Sequence, residues 1–196
     1  MSVAAVVLAG GRSVRFGADD KLRATIEGST LVERAVAAVA QVADDVVVVL
    51  APGDPTGDVP SAARAAFDPT PDEGPLAGAH AGLLAVVRSD VAVVVGGDMP
   101  HLQPSVLSAM IDAIVADERI EMVALDDGEG VRPLPIAVRT SPAADATHAL
   151  LQAGQRRLRD LVASLRTTVL DEASWTALDP ERRTLWDIDE PRDLNR

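Results

Sequence analysis

A glycine-rich segment with three cations follows the first apolar run of the chain. The residues are Gly10 and Gly11, then Arg12, Arg15 and Lys21. Glycines allow the backbone to approach a ligand closely, and consecutive amide groups there can form a concave anion site. The positive side chains are close together in a chain that is otherwise acidic. This pattern predicts a cradle for a triphosphate; the alternative is a solvated basic turn after a strand.

The segment differs from the two common phosphate-binding motifs. It contains neither the Gly-Lys-Ser/Thr of a P-loop nor the Gly-x-Gly-x-x-Gly of dinucleotide-binding domains. Lys21 is the single lysine among 18 basic residues, the others being arginine. Because lysine is a compact charge on a flexible stem, it suits contact with one phosphate oxygen. Composition bias alone is the alternative explanation for a lone lysine.

Asp98 follows a second apolar run, residues 91–95, and a pair of glycines. Since the carboxyl ends of parallel strands line the ligand crevice of open α/β sheets, we expect Asp98 to face the same crevice as Gly10. A carboxylate beside a triphosphate is repelled unless a hard cation lies between them. Asp98 is therefore a predicted Mg²⁺ ligand. The alternative is that Asp98 caps a helix ahead of Pro100.

Two more carboxylates, Asp187 and Asp189, alternate around Ile188 near the C-terminus. In a strand they would project from the same face. Paired carboxylates repel each other unless a cation or a donor lies opposite, so this pair predicts the second half of the metal site, with Asp189 as the expected ligand. The alternative is that Asp189 caps the helix that begins at Glu190 and Pro191.

Residues 68–82 combine prolines with glycines at positions 74, 78 and 82. The prolines predict an extended loop, and the spacing of the glycines clears one helix face. Each helical glycine costs about 1 kcal/mol relative to alanine, so close packing or a ligand should compensate. Packing on the sheet and binding of a nucleotide base explain this spacing equally well.

Short apolar strands alternate with helices along the chain. Strands are predicted at 3–8, 46–50, 65–67, 91–95, 122–125, 134–138, 167–170 and 184–188, and helices at 30–42, 76–87, 105–116, 143–152, 157–165 and from 191. The alternation predicts an α/β fold, a Rossmann-like three-layer sandwich with a mostly parallel sheet and right-handed crossovers. No linker divides the chain, so residues 1–196 are expected to form one domain.

Composition excludes several classes of protein. The formal net charge of −12 and the pI of about 4.6 would repel a polyphosphate backbone, so nucleic acid is not an expected partner. Without cysteine, zinc fingers and iron–sulfur clusters are excluded, and a reducing cytoplasm is the expected location. The apolar N-terminus lacks a basic region and soon reaches glycines, so neither a signal peptide nor a membrane span is predicted. No nucleophile elbow or zinc-binding helix supports hydrolase chemistry.

Together, these motifs resemble the molybdenum cofactor guanylyltransferase family, a family of MobA-like NTP transferases. The resemblance rests on five segments: Leu-Ala-Gly-Gly at 8–11 through Asp-Lys at 20–21, Gly-Pro-Leu-Ala-Gly at 74–78, Asp-Met-Pro at 98–100, Gln-Ala-Gly-Gln-Arg-Arg at 152–157, and Asp-Ile-Asp-Glu-Pro-Arg-Asp-Leu at 187–194. It implies a fold of the nucleotide-diphospho-sugar transferase type. It also implies transfer of GMP from GTP to molybdopterin, with release of pyrophosphate.

The resemblance and the patterns above give each candidate residue an expected role. The expected nucleotide-binding residues are Leu8, Ala9, Gly10, Gly11, Lys21, Asp68 and Asp98. Asp98 and Asp189 are the expected Mg²⁺ ligands, while Lys21 and Arg15 are expected to stabilise the departing pyrophosphate. No general base is required, because the acceptor phosphate is already an anion. The nucleotide-binding half is expected at about 1–118 and the acceptor-binding half at about 119–196.

The resemblance further implies transient contact with molybdoenzymes or other cofactor-biosynthesis proteins, and no membrane partner. Two departures from the family pattern favour a first alternative. Asp187 and Asp189 stand where the family usually has asparagines, and Val49 or Leu50 stands where a polar residue often follows the second strand. The alternative is a related nucleotidyltransferase that uses CTP or another phosphorylated acceptor, such as a sugar phosphate or a phospho-acid. A second alternative is a non-catalytic nucleotide-binding adaptor.

Overall fold

A sheet built from the apolar runs of the sequence forms the centre of the molecule. The computed structural model describes residues 1–10, 24–54, 59–69 and 74–195. The strands are β1 (Val3–Leu8), β2 (Thr25–Ile26), β3 (Ser29–Thr30), β4 (Asp45–Leu50), β5 (Arg64–Phe67), β6 (Val91–Gly96), β7 (Met122–Asp126), β8 (Val131–Arg139) and β9 (Thr167–Leu170). The helices are α1 (Leu31–Val39), α2 (Pro75–Ala85), α3 (Pro104–Ala116), α4 (Thr140–Gln152), α5 (Leu158–Ser164) and α6 (Glu172–Thr176).

Seven strands form the main sheet in the order β5-β4-β1-β6-β8-β7-β9. Strands β5, β4, β1 and β6 are parallel to one another, and β7 is parallel to β9. Strand β8 is antiparallel to both β6 and β7, so it alone runs in the opposite direction. The carboxyl ends of the parallel strands therefore meet at one edge, where β8 begins. This edge is called the carboxyl edge below.

Helices cover both faces of the sheet because the strands are apolar on both sides. On one face, the side chains of α1 and α3 pack against alternate residues such as Ala5 and Val93. On the other face, α2, α4 and α5 pack against their neighbours, such as Val6 and Val94. These three layers confirm the predicted α/β fold with a mostly parallel sheet.

Local sequence signals explain where several elements begin. The side chain of Thr30 accepts a hydrogen bond from the backbone N–H of Glu33, and the Glu33 carboxylate accepts one from the Thr30 N–H, at 3.1 and 2.7 Å. This reciprocal capping box starts α1 at Leu31, as predicted. The helix ends at Val39, before the predicted position of about 42.

The predicted strand at 184–188 is wrong. This segment contains the 3₁₀ turn Arg183–Leu185 and then a stretch that pairs with no strand of the described sheet. The predicted helix at residue 191 is a 3₁₀ helix, Pro191–Asn195. The β2–β3 hairpin and α6 were not predicted, because each is too short to show a clear hydrophobic period.

Among the described residues, no helix is long and apolar enough to cross a membrane.

Candidate active site

The backbone at the end of β1 lies between the ends of β4 and β6. The Gly97 N–H donates to the Leu8 carbonyl, and the Ala9 N–H donates to the Val49 carbonyl, both at 2.9 Å. These bonds extend the sheet one step beyond the strands and fix the backbone at Ala9 and Gly97. Because the sheet already uses these two groups, Leu8 and Ala9 would contact a ligand through their other atoms.

Gly10 lies at the close approach of two backbones. A Cβ atom at this position would be 3.0 Å from the Ala51 nitrogen and 3.2 Å from the Leu50 carbonyl carbon. A larger residue would therefore push the loop away from the end of β4. The predicted site residues Gly11, Arg15 and Lys21, like Arg12, lie outside the described residues.

Asp98 lies in the turn that follows β6, at the carboxyl edge. A Cβ atom on Gly96 would be only 2.3 Å from the Asp98 Oδ1 atom, so the side chain of Asp98 occupies space that only a glycine leaves open. Helix α3 begins at Pro104 and its N-cap is Gln103. The alternative in which Asp98 caps a helix is therefore wrong.

The C-terminal segment is attached to this turn by a backbone hydrogen bond. The Ile188 N–H donates to the Asp98 carbonyl at 2.9 Å, and the Ile188 side chain is buried. Asp187 and Asp189 flank this anchor. They reach the carboxyl edge through this contact rather than as part of a strand.

The charges of neighbouring carboxylates act on Asp187, which is exposed. Partial desolvation first, and then the negative charges of Asp189 and Asp98, raise the pKa of Asp187 above its ordinary value. The crevice therefore concentrates negative charge in the way that a cation site requires.

The Asp193 carboxylate accepts hydrogen bonds from the backbone N–H groups of Asp189 and Glu190, at 3.2 and 2.9 Å, at the start of the last helix. A cap formed by the Asp189 side chain stays the alternative. The Asp189 side chain is exposed.

The donor chemistry of this crevice fits Mg²⁺, although its ligands are not preassembled. Mg²⁺ uses one or two carboxylates together with phosphate oxygens and water. The coupled carboxylates of Asp98, Asp187 and Asp189 supply this chemistry. Within the ranges that the structure describes, no group of three or more histidine or acidic side chains is arranged to hold a metal by itself.

Asp68 lies beside the start of α2 at the same edge. Its backbone N–H donates to the Leu50 carbonyl at 3.0 Å. A Cβ atom on Gly78 would be 4.0 Å from Asp68 Oδ2 and 3.8 Å from Leu8 Cδ2. Asp68 therefore lies near the end of β1, as its predicted contact with the nucleotide requires.

The spaced glycines of α2 serve different contacts. A Cβ atom on Gly82 would be 2.2 Å from Val6 Cγ1, so this glycine allows the helix to pack on the sheet. Gly74 has a φ of +87°, and a Cβ atom there would be 2.8 Å from the Arg156 carbonyl oxygen. At these two positions the structure favours packing over base binding.

Sequence reasoning missed Arg132, which lies near the acidic crevice. Its positive charge acts on Asp187 and partly opposes the rise in the pKa of that carboxyl. Arg132 is the second residue of β8, far from Asp187 in the sequence. No local motif links the two positions, so only the sheet topology could have found this neighbour.

The sequence is similar to one protein family over most of its length. The profile of the MobA-like NTP transferase domain matches residues 5–169. A protein of Chloroflexus aggregans named probable molybdenum cofactor guanylyltransferase is 34% identical over 99% of this chain and 92% of its own length. A molybdenum cofactor guanylyltransferase of Desulfosudis oleivorans is 30% identical over all of this chain and 94% of its own length.

Solved structures show the same fold in proteins with different names. Molybdopterin-guanine dinucleotide biosynthesis protein A from Archaeoglobus fulgidus has a TM-score of 0.81 at 23% identity, covering 98% of this chain and 95% of that one. A 4-diphosphocytidyl-2C-methyl-D-erythritol synthase from Anaerococcus prevotii has a TM-score of 0.70 at 13% identity, covering 99% and 93%. At these identities the likeness establishes the fold alone.

Proposed function

The chain belongs to the MobA-like NTP transferase family and is a nucleotidyltransferase, and from this premise we propose that it transfers GMP from GTP to molybdopterin, releasing pyrophosphate. One observation carries the proposal: the sheet and the bond between Ile188 and Asp98 bring Gly10, Asp98 and the segment of Asp187 and Asp189 to one edge. The choice of guanine and of molybdopterin follows the names of the two full-length relatives.

The reaction breaks one phosphoanhydride bond and forms another. An oxygen of the acceptor phosphate attacks the α-phosphorus of GTP, and pyrophosphate leaves with the bonding electrons. Because the acceptor phosphate is already deprotonated, the protein does not need to remove a proton. Its task is to position the reactants and to neutralise charge.

Each candidate residue has a part in this positioning. The backbone of residues 8–11 lines the nucleotide, while Lys21 and Arg15 neutralise the departing pyrophosphate. Asp68 contacts the nucleotide near the start of α2. Asp98 holds Mg²⁺ with Asp189, and the bound ion would supply positive charge to the phosphates. The negative charge of the crevice supports this assignment, because the carboxylates repel each other without a cation.

In this proposal residues 1–118 bind the nucleotide and residues 119–196 bind the acceptor. Strands β1, β4 and β6 carry the first group of site residues, whereas β8 and the C-terminal segment border the crevice from the other side. The cytoplasmic location and contacts with molybdoenzymes stay predictions.

Release of pyrophosphate tests the proposed function. The purified protein should release pyrophosphate from GTP only when both Mg²⁺ and molybdopterin are present, and mass spectrometry should identify the guanine dinucleotide product. Lys21→Ala is the matched inactive control. A wild-type protein that releases no pyrophosphate under these conditions would contradict the proposal.

A related enzyme that uses CTP is the second candidate, and Asp187 and Asp189 favour it, since they replace the asparagines of the family pattern. Thermal unfolding with each of the four NTPs and Mg²⁺ separates the two. A nucleotide at 100 times its dissociation constant adds about 2.7 kcal/mol of stability. We expect GTP to raise the melting temperature most; stabilisation by CTP alone would replace the first candidate with the second.

A further inference from the structure

A second cavity lies beside the acidic crevice. Its volume is about 290 Å³, near the lower end of the roughly 300–1,000 Å³ that is usual for small-molecule sites. It is lined by Asp127, Arg132, Glu181, Arg182, Leu185 and Trp186. None of these residues belongs to the predicted nucleotide or metal site.

The sheet topology places this cavity at the carboxyl edge. The last ladder pair that joins β6 to β8 is Val94 with Ile136. Asp98 lies two residues beyond the end of β6, and four residues back along β8 comes Arg132. Trp186, which also lines the cavity, directly precedes Asp187 in the chain. The cavity therefore lies at the same edge of the sheet as the three carboxylates.

Arg132 has hydrogen-bonding capacity that the described residues do not use. Its Nη1 atom is 3.3 Å from Asp127 Oδ2, which is a long contact for an ion pair. The Asp127 carboxylate also accepts hydrogen bonds from the N–H groups of Glu129 and Gly130, at 2.9 and 3.0 Å. The Nε atom of Arg132 is buried, and no hydrogen-bond partner for it lies among the described residues. The Arg132 side chain is 39% exposed and lines the cavity, so its guanidinium can also donate to an anion that enters the cavity.

The apolar part of the cavity lining is formed by Leu185 and Trp186. Trp186 and Leu185 are half-buried there. The imidazole of His101 meets the Trp186 ring edge-to-face at 5.9 Å, and the Arg183 guanidinium lies over it at 5.9 Å. These contacts hold the indole in place. A held indole is a suitable surface for a planar heterocycle.

We propose that this cavity is the acceptor subsite, in which Arg132 binds the acceptor phosphate and Trp186 packs against its planar heterocycle. The inference rests on the proposed function and adds the residues that select the acceptor. The guanidinium would orient the phosphate oxygen that bonds to the α-phosphorus, while pyrophosphate leaves as the second product. Arg182 lies on the rim, where it is already paired with Glu172 at 2.6 Å.

Kinetics with separately varied substrates test the phosphate contact. We expect Arg132→Gln to raise the KM for molybdopterin at least tenfold, while the dissociation constant for GTP with Mg²⁺, measured by calorimetry, changes less than twofold. Arg132→Lys keeps the charge and should recover part of the lost acceptor affinity. The matched control is Arg119→Gln, because Arg119 is an exposed arginine paired with Asp117 at the opposite edge of the sheet.

Intrinsic fluorescence tests the heterocycle contact without turnover. The chain has two tryptophans, and Trp175 is fully buried and hydrogen-bonded, so the emission of the Trp186→Phe variant records the response of Trp175 alone. Molybdopterin should quench wild-type emission, after correction for its absorption, and Trp186→Phe should remove the larger part of the quenching. This variant decides the proposal even if Arg132→Gln fails to fold.

The outcomes separate this inference from the function on which it rests. If the wild-type protein transfers no GMP to molybdopterin, both fail. If the wild-type protein is active but Arg132→Gln keeps its acceptor KM, or Trp186→Phe keeps the quenching, only the subsite is overturned. A raised acceptor KM with unchanged GTP binding, together with lost quenching, supports it.

Discussion

Replacing Gly96 by alanine should damage catalysis much more than folding. The added Cβ atom would lie 2.3 Å from Asp98 Oδ1 and 3.3 Å from Met99 Cγ. Both contacts are with side-chain atoms, so the Asp98 carboxylate can turn away without breaking the sheet. In turning, it leaves the position beside Asp187 and Asp189 where the cation is proposed to bind.

The loss of stability and the change in Mg²⁺ requirement can both be estimated from these contacts. Overpacking in a core costs about 1–3 kcal/mol, and removing a glycine from a strand returns about 0.5–1 kcal/mol. The net destabilisation is then about 0–2.5 kcal/mol, a fall in melting temperature of at most about 10 °C for a domain of this size. Residues that orient a metal ligand typically change metal affinity or activity by about 10–100-fold. We expect the Mg²⁺ concentration for half-maximal activity to rise by that factor.

The assay compares Gly96→Ala with Val95→Ala across a Mg²⁺ titration of pyrophosphate release. Val95 is fully buried in the same strand, directly before Gly96. Its truncation should cost about 2 kcal/mol through lost packing. This control loses as much stability as Gly96→Ala but leaves the carboxylate of Asp98 in place. It should therefore keep the wild-type Mg²⁺ requirement.

A Gly96→Ala protein with the wild-type Mg²⁺ requirement and rate would refute this reasoning. Such a result would mean that the position of the Asp98 carboxylate does not control the cation. Equal losses of activity in both variants would also refute it, because destabilisation of β6 would then explain the effect.

Three further perturbations separate catalysis, packing and protonation. Lys21→Ala should cost about 2–4 kcal/mol of transition-state stabilisation, and near-full turnover in the pyrophosphate assay would exclude Lys21 from the phosphate cradle. Trp175→Phe should lower stability by about 2–3 kcal/mol in thermal unfolding, since it leaves a gap and an unpaired carbonyl in β7, while GTP affinity stays unchanged. Burial first, and then the charge of His148, lowers the pKa of His80, while Asp68 opposes this shift. The stability that neutral His80 contributes is therefore present above about pH 6.5 and is lost as the pH falls through the lowered pKa of His80. His80→Gln should therefore show a smaller drop in melting temperature from pH 7.5 to pH 5 than the wild type; an equal drop would assign the pH dependence to other groups.

The elements that sequence alone could predict are those with a complete local signal. Strand β1 matches its predicted bounds because an apolar run is closed by glycines. Helix α1 begins where its capping box places it. The segment at 184–188 has the alternation of a strand but no neighbour to pair with, since pairing depends on distant parts of the chain.

The sequence likewise predicted only those parts of the candidate site that have a local signal. Asp98 could be placed because it follows a strand whose carboxyl end must line the crevice. The approach of Asp187 to Asp98 depends on one hydrogen bond between residues 90 positions apart, from the Ile188 N–H to the Asp98 carbonyl. No local sequence pattern predicts this bond. Arg132 was missed for the same reason, because its place follows from the reversed direction of β8.

That reversed strand also bears on how such transferases diversify. Strand β8 returns from a short turn after β7, so the turn and the first residues of β8 border the crevice without belonging to β1, β4 or β6. Mutations or insertions in this hairpin alter one wall while the nucleotide side keeps its register. If this hairpin binds the acceptor as proposed, remodelling it alone would change the choice of acceptor while β1, β4 and β6 stay unchanged.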